Sequence, residues 1–340
     1  MEPLNIFEYE RLAKERMSQA SWDFDGGRND DEVTLAASQA ALARIHLRSR
    51  PLADDMPCDT TTSVLKTVVQ MPLLVAPTHL YGRAHPGGEP AVAQASEAAG
   101  TLMLASTHAA CTLEETAQAV KKAIWFHLSI FHDYLDVVLD LARRAYYAGY
   151  RAIVVDVPSP GNREQSKHDM PSLLPLPLVE ANLVGYTREG LRPNGVNWDI
   201  LDRLYHDIGL PVLVRGIVTV EDALLACDHA AGIIVSNHDG HQLDRAVTSI
   251  EALPEIVDAV AGREVYLEGG VYCGTDILKA LALGARAVLV DSPILWGLAA
   301  DGAHGVQRVL EILHTELELA MKQAGCPTLA SINRTLVKWS

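Results

Sequence analysis

From residue 70 onward, short and almost wholly apolar runs alternate with amphipathic stretches of helical length. The runs occupy 71–77, 101–106, 124–129, 151–157, 211–215, 231–236, 264–268 and 285–290. Each is short and β-rich, and so predicts a strand. The segments between them, 135–148 and 220–228 among others, predict helices. Strands that lack polar alternation are buried on both faces, as in a parallel sheet covered by crossover helices. Eight such units favour closure into a (β/α)8 TIM barrel over an open doubly wound sheet. Two helices, near 6–19 and 31–45, precede the barrel. The expected organisation is one domain over 1–340, with an N-terminal helical and extended segment (1–69) and a barrel (70–325). A Pro- and Gly-rich stretch at 158–197 follows the fourth strand, where long loops open on the catalytic face of a barrel.

Charge and composition narrow the partners. A formal net charge of −15 argues against nucleic acid, which needs clustered Lys and Arg. No run of 18 apolar residues is present, so no membrane span is expected. The opening residues lack the basic-then-apolar pattern of a leader, and the five cysteines form no C-x-x-C pair. Reduced thiols in a cytoplasmic protein acting on a small molecule are the expectation. Neither a G-x-G-x-x-G nor a G-x-x-x-x-G-K-[ST] loop occurs.

Several segments carry a family resemblance. They are Ile234-Val-Ser-Asn-His-Asp-Gly-His-Gln-Leu-Asp244, Ala76-Pro-Thr78, Ala84-His-Pro-Gly-Gly-Glu89, Leu267-Glu-Gly-Gly270, Gly274-Thr-Asp276 and Lys279-Ala-Leu-Ala-Leu-Gly-Ala285. In their order along the chain they resemble the FMN-dependent 2-hydroxy-acid oxidases, the glycolate oxidase and lactate dehydrogenase group, over nearly the whole chain. The resemblance implies that His238 takes the substrate's proton, steered by Asp156, and that Arg163 faces the substrate. Asp156 fits that role when Val155-Asp-Val-Pro158 is laid on the family's ungapped pattern; the other alignment puts Pro158 there. It also implies a flavin site built from Ala76, Thr78, Ser106, His127, Arg215 and Glu268, and a homo-oligomer, a tetramer or a similar assembly.

Departures from the family pattern predict altered chemistry. Phe24 and Ser129 stand where the family has aromatic hydroxyls, and His241 stands where it has its main carboxylate-binding arginine. An imidazole cannot reproduce a guanidinium fork. The family's phosphate-binding arginines give way to Tyr272 or Cys273 and to Asp291-Ser292. Each lost charged hydrogen bond is worth roughly 1.5–3 kcal/mol. The expectation is therefore that ordinary FMN binding is lost. His238 would then run acid–base chemistry on a carbonyl- or hydroxyl-bearing molecule, of lyase, isomerase or oxygenase type.

Strand ends also bring together His79, His108, His127, Asp156, His238, Asp239, His241, Glu268 and Asp291. The sharpest metal reading places Zn, Fe or Mn on His238, His241, Glu268 and Asp291; the other reading is a cofactor-free site of ordinary pocket-lining groups. Two further alternatives stand: an FMN-dependent oxidase or dehydrogenase with a changed substrate, and a non-catalytic descendant that binds a ligand or partner.

Overall fold

The computed structural model describes residues 3–25, 33–50, 57–157, 179–186, 198–237 and 246–340. Helices α1 (Ile6–Arg16), α2 (Gln19–Asp25) and α3 (Val33–Ala43) open the chain, followed by β1 (Ile45–Leu47). The N-terminal helices thus number three among the described residues, and the expected helix at 6–19 divides at Met17, whose backbone is extended. A hairpin of β2 (Thr62–Val64) and β3 (Thr67–Val69) comes next.

The barrel alternates as its apolar runs predict. Its order is β4 (Leu73–Val75), α4 (Gly88–Ala98), β5 (Leu104–Ser106), α5 (Leu113–Gln118), β6 (Trp125–Leu128), α6 (Leu135–Ala148) and β7 (Ile153–Asp156). It continues with α7 (Trp198–Ile208), β8 (Val212–Ile217), α8 (Val220–His229), β9 (Gly232–Ser236), α9 (Ser249–Ala259) and β10 (Glu264–Glu268). Helix α10 (Gly274–Ala282), β11 (Val288–Val290) and α11 (Ser292–Ala324) complete it, and β12 (Val337–Trp339) returns to pair antiparallel with β1.

Among the described residues, eight parallel strands run in the order β4-β11-β10-β9-β8-β7-β6-β5. An isolated parallel bridge between Val75 and Met103 joins the two outer strands. Across that seam, Gln70 N donates to Gly100 O at 2.8 Å, Val75 N donates to Leu102 O at 3.0 Å, and the Thr101 hydroxyl donates to Leu73 O. The fold is a (β/α)8 TIM barrel.

Alternation along each strand divides the core in two. Leu74, Leu104, Trp125, Val154, Leu213, Ile234, Tyr266 and Leu289 point into the barrel. Their neighbours Leu73, Val75, Phe126, Val155, Val214, Ile233 and Val288 point outward against the helices. Inside, Trp125 and Tyr266 pack edge-to-face with centroids 5.9 Å apart, a favourable arrangement of ring quadrupoles. The β2–β3 hairpin plugs the amino-terminal end of the barrel: Val64 and Val69 join the interior cluster, and Leu65 N donates to Glu264 Oε2 at 2.9 Å. The opposite end, where the strands finish, therefore carries the polar side chains.

Candidate active site

Strands β6, β7, β8 and β10 carry near their ends polar groups joined in one hydrogen-bonded network, and the imidazoles that follow β4 and β5 stand beside it. Asp156, the last residue of β7, lies opposite Arg215 of β8 in the parallel register, and their side chains meet: Arg215 Nη1 donates to Asp156 Oδ1 at 2.9 Å. The same guanidinium donates from Nε and Nη2 to both oxygens of Glu268, at 2.5 and 2.6 Å, from the end of β10. Burial opposes the charge on Arg215, but Asp156 and Glu268 outweigh it and raise its pKa further. The cation is thus permanent and held in one orientation by a bidentate pair.

His127, on β6 and 1% exposed, continues the network: its Nε2 lies 2.7 Å from Asp156 Oδ2. A carboxylate only accepts, so Nε2 carries the proton and Nδ1 of the neutral ring is an acceptor. That Nδ1 is buried without a hydrogen-bond partner among the described residues. A buried polar atom of this kind is costly unless something supplies its missing bond.

Two more imidazoles stand beside it. His79, following β4, has its ring centroid 4.8 Å from that of His108 and 6.4 Å from that of His127. His108 follows β5, and its Nδ1 lies 2.7 Å from Glu180 Oε1. That contact comes from the described part of the long loop, which Asn182 fastens to the barrel by donating to Ser106 O and Thr107 O at 3.3 and 3.1 Å. Thr78 donates to Asp291, the residue ahead of α11. Ala76 N donates to Val290 O at 2.9 Å, and the buried Ser106 hydroxyl accepts from His108 N at 3.1 Å.

The sequence-predicted residues Asp156, His127, Arg215 and Glu268 therefore form one cluster, with Thr78, Ser106 and Asp291 at neighbouring strand ends. Arg163, His238, His241 and the side chain of Phe24 lie outside the described residues. Two partners escaped sequence reasoning. Glu180 sits in the long loop with no motif around it. Glu89, fully buried, accepts from Tyr81 N and Ala110 N, both at 3.0 Å, and so ties together the loops that carry His79 and His108. Its position in Ala84-His-Pro-Gly-Gly-Glu89 was the available signal. Cys273 is no nucleophile by its surroundings, since burial and then Asp276 push its thiol pKa up.

A family model described as FMN-dependent dehydrogenase matches residues 13–339. Glycolate oxidase 3 of Arabidopsis thaliana is 41% identical, over 99% of this chain and 96% of its own. An L-lactate oxidase from Nostoc sp. is 42% identical over 98% of each. Among solved structures, mandelate oxidase with benzoyl-formic acid superposes with a TM-score of 0.91 at 38% identity, covering 100% of this chain and 99% of that one.

These matches correct three expectations. Loss of ordinary FMN binding is overturned by the full-length match to an FMN-dependent family, and a cofactor-free site falls with it. Flavin-free lyase, isomerase or oxygenase chemistry is overturned by relatives that are oxidases. A few side-chain charges at the phosphate end weigh less than a likeness that runs the length of the chain. The metal reading finds no support either: among the described residues no three His, Cys, Asp or Glu side chains could hold an ion. Of its proposed ligands, Glu268 is bound by Arg215 and Asp291 by Thr78.

The strand ends fit a flavin ring. They offer a fixed buried cation at Arg215 and an unmet acceptor at His127, against hydroxyls from Thr78 and Ser106. Tyr272 does not reach for a phosphate in the manner of an arginine; it is stacked between Phe7 and Trp296, at 6.4 and 5.7 Å.

Proposed function

Since the chain belongs to the FMN-dependent dehydrogenase family, we propose that it is an FMN-dependent oxidoreductase that converts a small 2-hydroxy acid to the 2-oxo acid. The observation that carries this reading is the Arg215 guanidinium, buried and locked by Asp156 and Glu268 at the mouth beside His127. FMN, when bound, supplies the acceptor for the two electrons that leave the substrate's carbinol carbon.

The protein's own groups do the rest. Arg215 places a fixed positive charge where negative charge develops, the preorganised arrangement that contributes most in a water-poor site. His127 Nδ1, buried and unpaired among the described residues, would accept a hydrogen bond from the flavin, which Ala76, Thr78, Ser106 and Glu268 would help to hold. His238 removes the hydroxyl proton as the C2–H and O–H bonds break and the C=O bond forms. Asp156 favours the charged imidazolium, and Arg163 with His241 holds the substrate carboxylate. A small-molecule substrate, a cytoplasmic location and a homotetrameric assembly belong to the same proposal.

The test is the visible spectrum of protein purified with FMN, followed by mixing with 2-hydroxy acids in the absence of oxygen. Oxidised flavin bands that bleach on mixing are expected. Protein that takes up no FMN, or bound FMN that no 2-hydroxy acid bleaches, overturns the reading.

A further inference from the structure

We infer that Asn182 is a positioning residue for the flavin: acting through Thr107, it sets the place of His127, whose Nδ1 is the nitrogen left to bond the cofactor. Only the cofactor's part in this rests on the oxidase reading; the contacts stand without it.

Asn182 lies in the loop between β7 and α7, within a single tight turn at Ala181–Leu183, yet its side chain is wholly buried. Loops seldom bury an amide, because each donor and acceptor must then be matched inside the protein. This amide is matched at both ends. Its Oδ1 accepts from Leu113 N, at the start of α5, at 2.7 Å. Its Nδ2 donates to Ser106 O at 3.3 Å and to Thr107 O at 3.1 Å. Those two carbonyls stand where β5 stops, since Ser106 and His127 form the last pair of the β5–β6 ladder.

Thr107 carries the effect onward. It is wholly buried, and both its amide and its hydroxyl donate to His127 O at 2.9 Å, while the hydroxyl accepts from Ser129 N at 3.1 Å. The backbone of His127 is thus gripped by a residue whose own carbonyl Asn182 holds. Asp156 fixes the ring at Nε2, so Nδ1 is aimed by two anchors, one on the backbone and one on the ring. Fully matched buried networks of this kind make a site rigid, and the residues behind a contacting group set its aim.

Tethering the loop does not by itself require this side chain. Ala181 N donates to Ala109 O at 2.9 Å, and Arg144, paired with Glu114, donates from Nη1 to Asn182 O at 3.1 Å. Both bonds use the loop's backbone and would survive loss of the amide. What the amide adds is a hold on the start of α5 and, through its two donors, on the end of β5.

A double-mutant cycle on FMN affinity tests the role, with the flavin-free full-length chain titrated by quenching of flavin fluorescence. Asn182→Ser should weaken binding about tenfold in the wild-type background and less than about twofold beside His127→Ala, the coupling of one hydrogen-bonded network. Equal weakening in both backgrounds, or none in either, overturns the proposal, because a purely structural anchor acts independently of His127. Thr107→Val cuts the same chain one link further on and serves where Asn182→Ser does not fold; it should show the same coupling, and additivity there is equally fatal. A second measurement needs no cofactor: nitrogen NMR spectra of the histidine-labelled, flavin-free chain, in which the His127 signals are those lost in His127→Ala. The Nδ1 signal should move in Asn182→Ser, and His127 signals that stay in place overturn the proposal. If the wild-type chain takes up no FMN, the oxidase reading falls, and the spectra alone decide whether Asn182 positions His127.

Discussion

A guanidinium with two carboxylates wrapped around it makes a demanding residue-level arrangement. Arg215 and Glu268 each expose about 7% of their side chains. Desolvating such a pair costs several kcal/mol per ion, recovered only while both partners remain. Glu268→Gln should therefore cost about 3 kcal/mol of stability, read as a lower denaturant midpoint with an unchanged slope. His79 gives a second prediction. Its folded pKa lies below the ordinary 6.5, so the unfolded chain binds a proton that the folded chain refuses. Stability is then fully present above pH 6.5 and declines as pH falls from there toward the folded value. His79→Gln should flatten this stretch of the acid limb; an unchanged limb in unfolding curves taken across it would refute the assignment. Most members of the site could be named from their residue types at strand ends, but their pairings could not. That Asp156 serves both His127 and Arg215 depends on the β7–β8 register, which no local pattern encodes.

At the level of elements, the close approach of α10 to α11 is the contact least tolerant of change. A Cβ added at Gly274 would lie 2.1 Å from Leu317 N and 2.3 Å from Glu316 C, both backbone atoms that cannot step aside. Gly274 N also donates to Glu316 Oε2 at 2.8 Å, which fixes the start of α10. Gly274→Ala should cost more than about 4 kcal/mol, the range kept for severe mechanisms, with thermal unfolding or loss of soluble protein as the readout. The barrel strands and α6 were plain in the sequence because doubly buried strands and strongly amphipathic helices write their periods into the chain. Other elements left little trace. The β2–β3 hairpin mixes Thr and Ser with Val, and turns through positive φ at Leu65 and Lys66 where Gly or Asn is usual. Strand β1 pairs with β12 from the far end of the chain, a contact with no local signal.

For the whole molecule, the barrel is a ring of ladders with one lightly sewn join. Strands β8 and β9 share four residue pairs, whereas β4 meets β5 through the Val75–Met103 bridge, the one isolated bridge among the described residues there. Hydrogen–deuterium exchange should find the Val75 amide opening more readily than those of Val214 and Ile234 in the central ladders; equal protection would contradict this ranking. His79 and His108 hang from the two strands that flank the join. Any widening between those staves spreads the two rings apart, so the vessel's mouth has an adjustable gape on the side where those rings stand. A longer guest would then be admitted by prising the staves, and the energy needed to do so would set the largest molecule the protein accepts.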